Sequence, residues 1–154
     1  MLAALLVGSA VYVPLLPVPD AEDVYIHREG VDILRLEASP GVGVFSHSMI
    51  YVQFVVENRG SEKPPDHIRV YGIVYGSGVM WGEDIYYFYN ATPPGIHSGA
   101  LLISIGDRNI SDFGARLHVY VEGLVGVGGG TEELVYDSVD IELEGSGHWR
   151  YDRR

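Results

Sequence analysis

Apolar residues recur at every second position along most of the chain from about residue 24 onward. This is the period of a β-strand with one buried face, whereas an amphipathic helix repeats every 3.6 residues. The clearest case is MIYVQFVVE (49–57), in which Ile50, Val52, Phe54 and Val56 share one face. The pattern therefore predicts strands, and no segment longer than about one turn favours a helix.

Six further segments are predicted to be strands. Turn-forming clusters such as NRGSEKPPD, ATPPG and GVGGG separate them, and the last of these indicates a hairpin loop. In the final segment Val135, Val139, Ile141 and Leu143 are predicted to point inward. Short strands separated by turn signals indicate a two-layer antiparallel sandwich. The six segments are VDILRLEAS (31–39), HIRVYGIVYG (67–76), DIYYFYN (84–90), ALLISIG (100–106), ARLHVYVEGLVG (115–126) and EELVYDSVDIELEG (132–145).

Three short motifs carry a resemblance to known families: YVQFVVENRGSEKP, ATPPGIHSG and RLHVYVEG. Over roughly residues 31–125 the chain resembles immunoglobulin-like domains of surface proteins, namely the camelysin or TasA-like matrix-fibre type with its archaeal pilus relatives, or alternatively the CARDB type. The resemblance implies an extracellular protein and, for the fibre members, assembly by donation of an N-terminal strand. The expected fold class is all-β: an antiparallel immunoglobulin-like β-sandwich of about seven to nine strands with an extended apolar N-terminal strand.

The segment MLAALLVGSAVYVPLLPVPD contains no charge in its first nineteen residues. A membrane-spanning helix needs about 20 apolar residues, but Pro14, Pro17 and Pro19 limit a regular helix to the first thirteen, so no stable membrane span is expected. A secretory signal would have a basic region before its apolar core. No basic residue precedes Leu2, although Gly8-Ser9-Ala10 resembles a cleavage site.

An extended strand is the third interpretation of this segment. Residues 2–19 would then span about 60 Å, which exceeds the diameter of about 40 Å expected for a domain of this size. The segment is long enough to enter a neighbouring subunit, or it forms the first strand of its own sandwich, and both alternatives remain open. The candidate donor-strand residues are Leu5, Val7, Val11, Val13, Leu15 and Leu16.

Composition narrows the classes of partner. The formal net charge of −11 argues against nucleic acid, because a polyanion is bound by a basic surface. The absence of cysteine excludes disulfides and thiolate sites. Nine Arg, a single Lys and few Asn or Gln fit a thermophilic source. The expected organisation is an apolar segment (1–19), a β-sandwich domain (20–145) and a polar C-terminal tail (146–154).

No catalytic motif is present, so neither an enzymatic activity nor a cofactor is expected. In DRNISD, the alternating oxygen-bearing residues Asp107 and Asn109, with Asp112, resemble a hard-cation loop. His118 stands where an EF-hand loop places its Glu, and a polar loop without metal is the favoured interpretation. Two sequons begin at Asn90 and Asn109; Asn109 is preferred because a proline directly follows the first sequon.

These features predict a structural subunit of an extracellular filament or pilus, with identical subunits as partners in a homopolymer. The alternative is a cell-surface adhesion or binding module tethered by the N-terminal segment. Its partners would be glycans or proteins, contacted by exposed aromatic residues such as Trp81, Tyr86 and Phe88.

Overall fold

The computed structural model describes residues 30–41, 48–60, 67–88, 93–108, 110, 114–144 and 147–154. Every regular element within these ranges is a β-strand, which confirms the all-β prediction. The strands are β1 (Gly30–Pro40), β2 (Met49–Gly60), β3 (His67–Gly76), β4 (Val79–Phe88), β5 (Gly95–Ser104), β6 (Ala115–Val127), β7 (Gly130–Leu143) and β8 (Trp149–Asp152).

The strands form two four-stranded antiparallel sheets packed as a sandwich. Sheet A has the order β5-β2-β1-β8, and sheet B has the order β4-β3-β6-β7. The first seven strands follow an immunoglobulin-like arrangement. In this arrangement β1, β2 and β5 share one sheet, and β3, β6 and β7 share the other. The remaining strand, β4, lies beside β3. The eighth strand extends sheet A beyond β1.

The alternating pattern builds the core. Ile50, Val52, Phe54 and Val56 of β2 are all at most 1% exposed, as the sequence predicts. They face the inward residues of sheet B, so the two apolar faces bury each other. Both hairpins of sheet B turn through two residues with positive φ, and such turns match the twist of the paired strands. The turn residues are Ser77-Gly78 and Gly128-Gly129.

Two predictions were wrong. Val135 is 63% exposed, because a β-bulge between Val121 and Glu122 shifts the register of β7 and turns Val135 to the outer face. The segment 146–154 is not simply a polar tail, since β8 pairs with β1 and Trp149 is buried in the core. The Trp149 indole also donates a hydrogen bond to the carbonyl of Glu144.

Candidate functional site: sheet edges and a tyrosine face

The edges of the two sheets are where this sandwich can bind another chain, because an edge strand presents unpaired backbone N–H and C=O groups. Along each side of the sandwich, an edge region of sheet A meets an edge strand of sheet B. We name the two sides by their carboxylates. The Asp137 seam joins β1 to β7, and the Asp84 seam joins β5 to β4.

The Asp137 seam is held by charge. The carboxylate of Asp137 accepts a hydrogen bond from the backbone N–H of Ile33 at 2.8 Å and is ion-paired with Arg153. The guanidinium of Arg153 donates a hydrogen bond to the carbonyl of Ile33. The backbone N–H of Arg153 donates a second hydrogen bond to the carbonyl of Leu34. Burial lowers the pKa of Arg153, but the charge and hydrogen bond of Asp137 more than offset this, so the pKa lies above its ordinary value. Asp137 and Arg153 therefore provide hydrogen-bond partners for backbone groups of Ile33 and Leu34, where β1 extends beyond its pairing with β8.

The Asp84 seam is held by a hydrogen bond, by a close backbone approach and by an edge-to-face contact between Phe88 of β4 and His97 of β5, with ring centroids 5.8 Å apart. The carboxylate of Asp84 accepts from the backbone N–H of Leu102 at 2.8 Å. A Cβ atom added at Gly82 would lie 1.8 Å from the carbonyl oxygen of Ser104, so only glycine fits there. This seam closes the end of β5 near Ser104.

The four terminal strands differ in charge. The edge strands β4 and β7 carry acidic residues, and β8 is four residues long with an Arg and an Asp. These are the ordinary protections of a sheet edge. The edge strand β5 (GIHSGALLIS) spans ten residues with no charge and no proline. Ile96 and Leu102 on this strand are 67% and 47% exposed.

An aromatic cluster lies beneath β5. Phe54 meets Tyr86 and Phe88 edge-to-face, with ring centroids 5.3 and 6.2 Å apart. A Cβ at Gly99 would lie 2.6 Å from Phe54, so the glycine makes room for these rings. Tyr86, Phe88 and Trp81 thus pack against the core, and the expectation that they form an exposed binding surface was wrong.

A group of partly exposed tyrosines lies on the outer face of sheet B. Tyr71 and Tyr120 sit opposite each other on β3 and β6, with stacked rings 4.8 Å apart and 2° from parallel. Tyr87 on the neighbouring β4 is 42% exposed. Burial raises the pKa of Tyr71 above its ordinary value despite the opposing charge of Arg69. Burial and the nearby Glu122 likewise raise the pKa of Tyr120.

An ion pair borders this tyrosine face. Arg69 and Glu122 approach to 2.5 Å, and Glu122 is only 5% exposed although it lies on the outer side of the sheet. Arg69 also packs over the Tyr71 ring at 5.5 Å. Burial lowers the pKa of Arg69, but Glu122 outweighs it and the pKa is raised. The charges that border the tyrosine face are therefore paired within sheet B.

Most of the predicted site residues lie outside the described residues. This holds for Leu5, Val7, Val11, Val13, Leu15 and Leu16, for Asn90 and Asn109, and for Asp112. Asp107 is described and exposed. Among the described residues, no group of three or more His, Asp or Glu side chains could hold a metal ion. In the same ranges, no helix is long and apolar enough to cross a membrane.

Sequence reasoning missed Asp137, Asp84 and Arg153. A signal for Asp137 was present, because the predicted alternation of the segment 132–145 places it at an inward position, two residues before Val139. A charged residue at an inward position indicates a partner, since an unpaired buried charge is costly. No comparable signal identifies the partner strand.

No family model matches the chain, and no curated protein matches it. The fold is similar to a crystal structure of a protein from Archaeoglobus fulgidus, with a TM-score of 0.40 and 12% sequence identity. The match covers 74% of this chain and 98% of that one. A likeness at this level contributes nothing to a functional assignment.

Proposed function

We propose that the protein is a non-enzymatic structural subunit of an extracellular filament, assembled when the apolar N-terminal segment of one subunit adds as a strand to the next. Camelysin or TasA-like matrix fibres and archaeal donor-strand pili are the assemblies that it resembles. The supporting observation is that Gly30–Leu143 supplies all seven strands of an immunoglobulin-like sandwich, and β8 adds an eighth. The apolar segment 1–19 is therefore not needed to complete this core.

The core formed by the described residues is already closed. Ile33, Leu36, Ile103, Leu117 and Leu143 are each 0% exposed. A further apolar strand has no vacant place between the sheets formed by these residues, so strand addition at a sheet edge is the remaining mode. Head-to-tail addition of this kind propagates into a filament when the rotation between subunits does not close.

The energetics favour a stable joint. Burial of about ten apolar side chains of the segment would contribute roughly 1.5–3 kcal/mol each, before the cost of ordering the segment. Main-chain hydrogen bonds to the edge strand would add affinity and fix the register. Joints of this kind would resist dissociation in a surface environment, and no cysteine is needed for them.

Electron microscopy of the full chain and of a variant lacking residues 1–18 tests the proposal. The full chain is expected to form filaments, and the deletion variant a soluble monomer with unchanged β-sheet content by circular dichroism. The full-length double substitution Val11→Asp, Val13→Asp should also abolish filaments, because a charge in an added apolar strand is left unpaired. Filaments of the deletion variant would refute strand donation.

The tyrosine face favours a second candidate function, a cell-surface binding module. Tyr71, Tyr87 and Tyr120 form a half-exposed aromatic surface beside the Arg69 guanidinium. Tyrosine is enriched where an apolar ring and a polar hydroxyl both contact a partner. Specific glycan binding by a monomeric full chain, lost in Tyr87→Ala, would support this alternative.

A further inference from the structure

We infer that the N-terminal segment of a second copy of this chain docks on the edge strand β5, between Ile96 and Ala100. This inference rests on the proposed function and identifies its acceptor. Among the four terminal strands of the described sandwich, β5 alone has neither a charged residue nor a short length. A long uncharged edge is a template for pairing with another strand, and natural proteins ordinarily protect such an edge.

The backbone geometry of β5 fixes which groups face outward. The N–H of Leu102 points away from β2 and donates to Asp84. Because β5 pairs with β2 without a register shift, the N–H and C=O groups of Ile96, Ser98 and Ala100 face the same outward side. Asp84 and Gly82 close the edge only at its Leu102–Ser104 end. Within the part of the chain that the structure describes, no strand pairs with the remaining five residues of this edge, a stretch about 17 Å long.

The side chains at the middle of this stretch are small. Ser98, Gly99 and Ala100 border a depression of about 570 Å³ beside β5. Its other lining residues are apolar, aromatic and polar: Tyr51, Phe54, Val55, Tyr86, Arg35, Glu37 and Gln53. Alternate side chains of an added strand need such space, because successive residues point to opposite faces of a sheet. The exposed side chain of Ile96 offers an apolar contact at the end of the stretch.

The apolar segment matches this edge in length and character. Ser9–Val13 (SAVYV) is uncharged, β-prone and free of proline, and Pro14 ends the run because it has no N–H to donate. Residues 20–29 connect the segment to β1 and span about 33 Å when extended. That reach is long enough for the segment to contact a neighbouring subunit. The centre of the run, Val11, would lie opposite Ser98 in either strand direction.

Disulfide trapping between full-length chains tests the pairing, because the protein has no cysteine of its own. A chain with Val11→Cys is mixed with a chain with Ser98→Cys and oxidised. Opposed residues of paired strands are at a separation that a disulfide spans. A cross-linked heterodimer is the expected result. A cross-link that forms only inside a single chain carrying both substitutions would overturn docking on a second copy.

A matched pair of edge substitutions provides a second readout. Ser98→Lys places a charge on the open edge of β5, and Ser138→Lys does the same on β7, where the serine is also exposed. Filament yield by sedimentation should fall at least about tenfold for Ser98→Lys and stay within about twofold for Ser138→Lys, since a lysine protects an edge from strand addition. Unchanged circular dichroism and melting temperature would show that both variants fold.

The two proposals fail in different ways. If filaments require residues 1–18 but Ser98→Lys polymerises like the unmodified chain and no cross-link forms, the acceptor is not β5 and strand donation still holds. If filaments persist in Val11→Asp, Val13→Asp, donation itself is refuted and the β5 docking falls with it.

Discussion

The two seams of the sandwich join the edges of sheets A and B through different interactions. In each seam, an aspartate of sheet B accepts a hydrogen bond from a backbone N–H group of sheet A. Asp137 accepts from Ile33, and Asp84 accepts from Leu102. At the Asp137 seam the carboxylate is also paired with Arg153, and both side chains are at most 20% exposed. At the Asp84 seam no cation is recorded beside the carboxylate among the described residues, and β5 beyond it carries no charge.

The contrast shows that the edge of sheet A at β1 is better protected than the edge at β5. Charged groups, a short terminal strand and a guanidinium cover the edge at β1. One carboxylate covers one end of β5 and leaves the stretch from Ile96 to Ala100 open. A subunit that adds one strand from a neighbour needs one receptive edge and several protected ones, because several open edges would lead to uncontrolled aggregation. The unequal seams agree with the proposed assembly.

The largest expected effect is at the Asp137 seam. Asp137→Ala leaves the Arg153 guanidinium and the Ile33 N–H half-buried without their carboxylate, and should lower the free energy of unfolding by about 3 kcal/mol. Denaturant unfolding measures the change. Arg153→Ala and the double substitution complete a thermodynamic cycle, in which the coupling should exceed about 1 kcal/mol. Additive losses would mean that the two side chains act independently.

The next effect concerns the close approach at the Asp84 seam. Gly82→Ala forces its Cβ against the Ser104 carbonyl and should destabilise the fold by about 2 kcal/mol, because two backbones must separate. Thermal unfolding followed by circular dichroism measures the loss. Ser104→Ala leaves that carbonyl in place and is the control, with an expected change within about 0.5 kcal/mol. Equal stabilities of the two variants would contradict the packing described for this seam.

The smallest effect is expected from Asp84 itself. Asp84→Ala removes a single hydrogen bond to Leu102 at an exposed position, so the free energy of unfolding should fall by about 1 kcal/mol or less. Asp84→Asn keeps an acceptor oxygen and should restore most of that loss. Hydrogen exchange of the Leu102 amide should become faster in Asp84→Ala and change little in Asp84→Asn. A loss as large as that of Asp137→Ala would contradict the contrast between the seams.

Most of the fold followed from the sequence, because alternation is a local property. The segment 67–76 coincides with β3, and the inward residues of β2 are buried as predicted. Local patterns did not reveal the length of β4, which begins at Val79 and not near residue 84. The stretch before Asp84 contains Trp81 and Gly82, whose positions depend on a bulge and on contact with β5.

The all-β class, most inward faces of the strands and the apolar character of residues 1–19 could be predicted from the order of the residues, since each depends on neighbours along the chain. The packing of the two sheets was needed to show that Trp149 enters the core, that Val135 faces solvent, and which edges are protected. These outcomes depend on strand order and on one bulge, which bring together residues as distant in sequence as Ile33 and Asp137. A strand lies at the edge of a sheet only because of the order in which the strands pair. The open edge at β5 is therefore visible in the fold and not in the sequence.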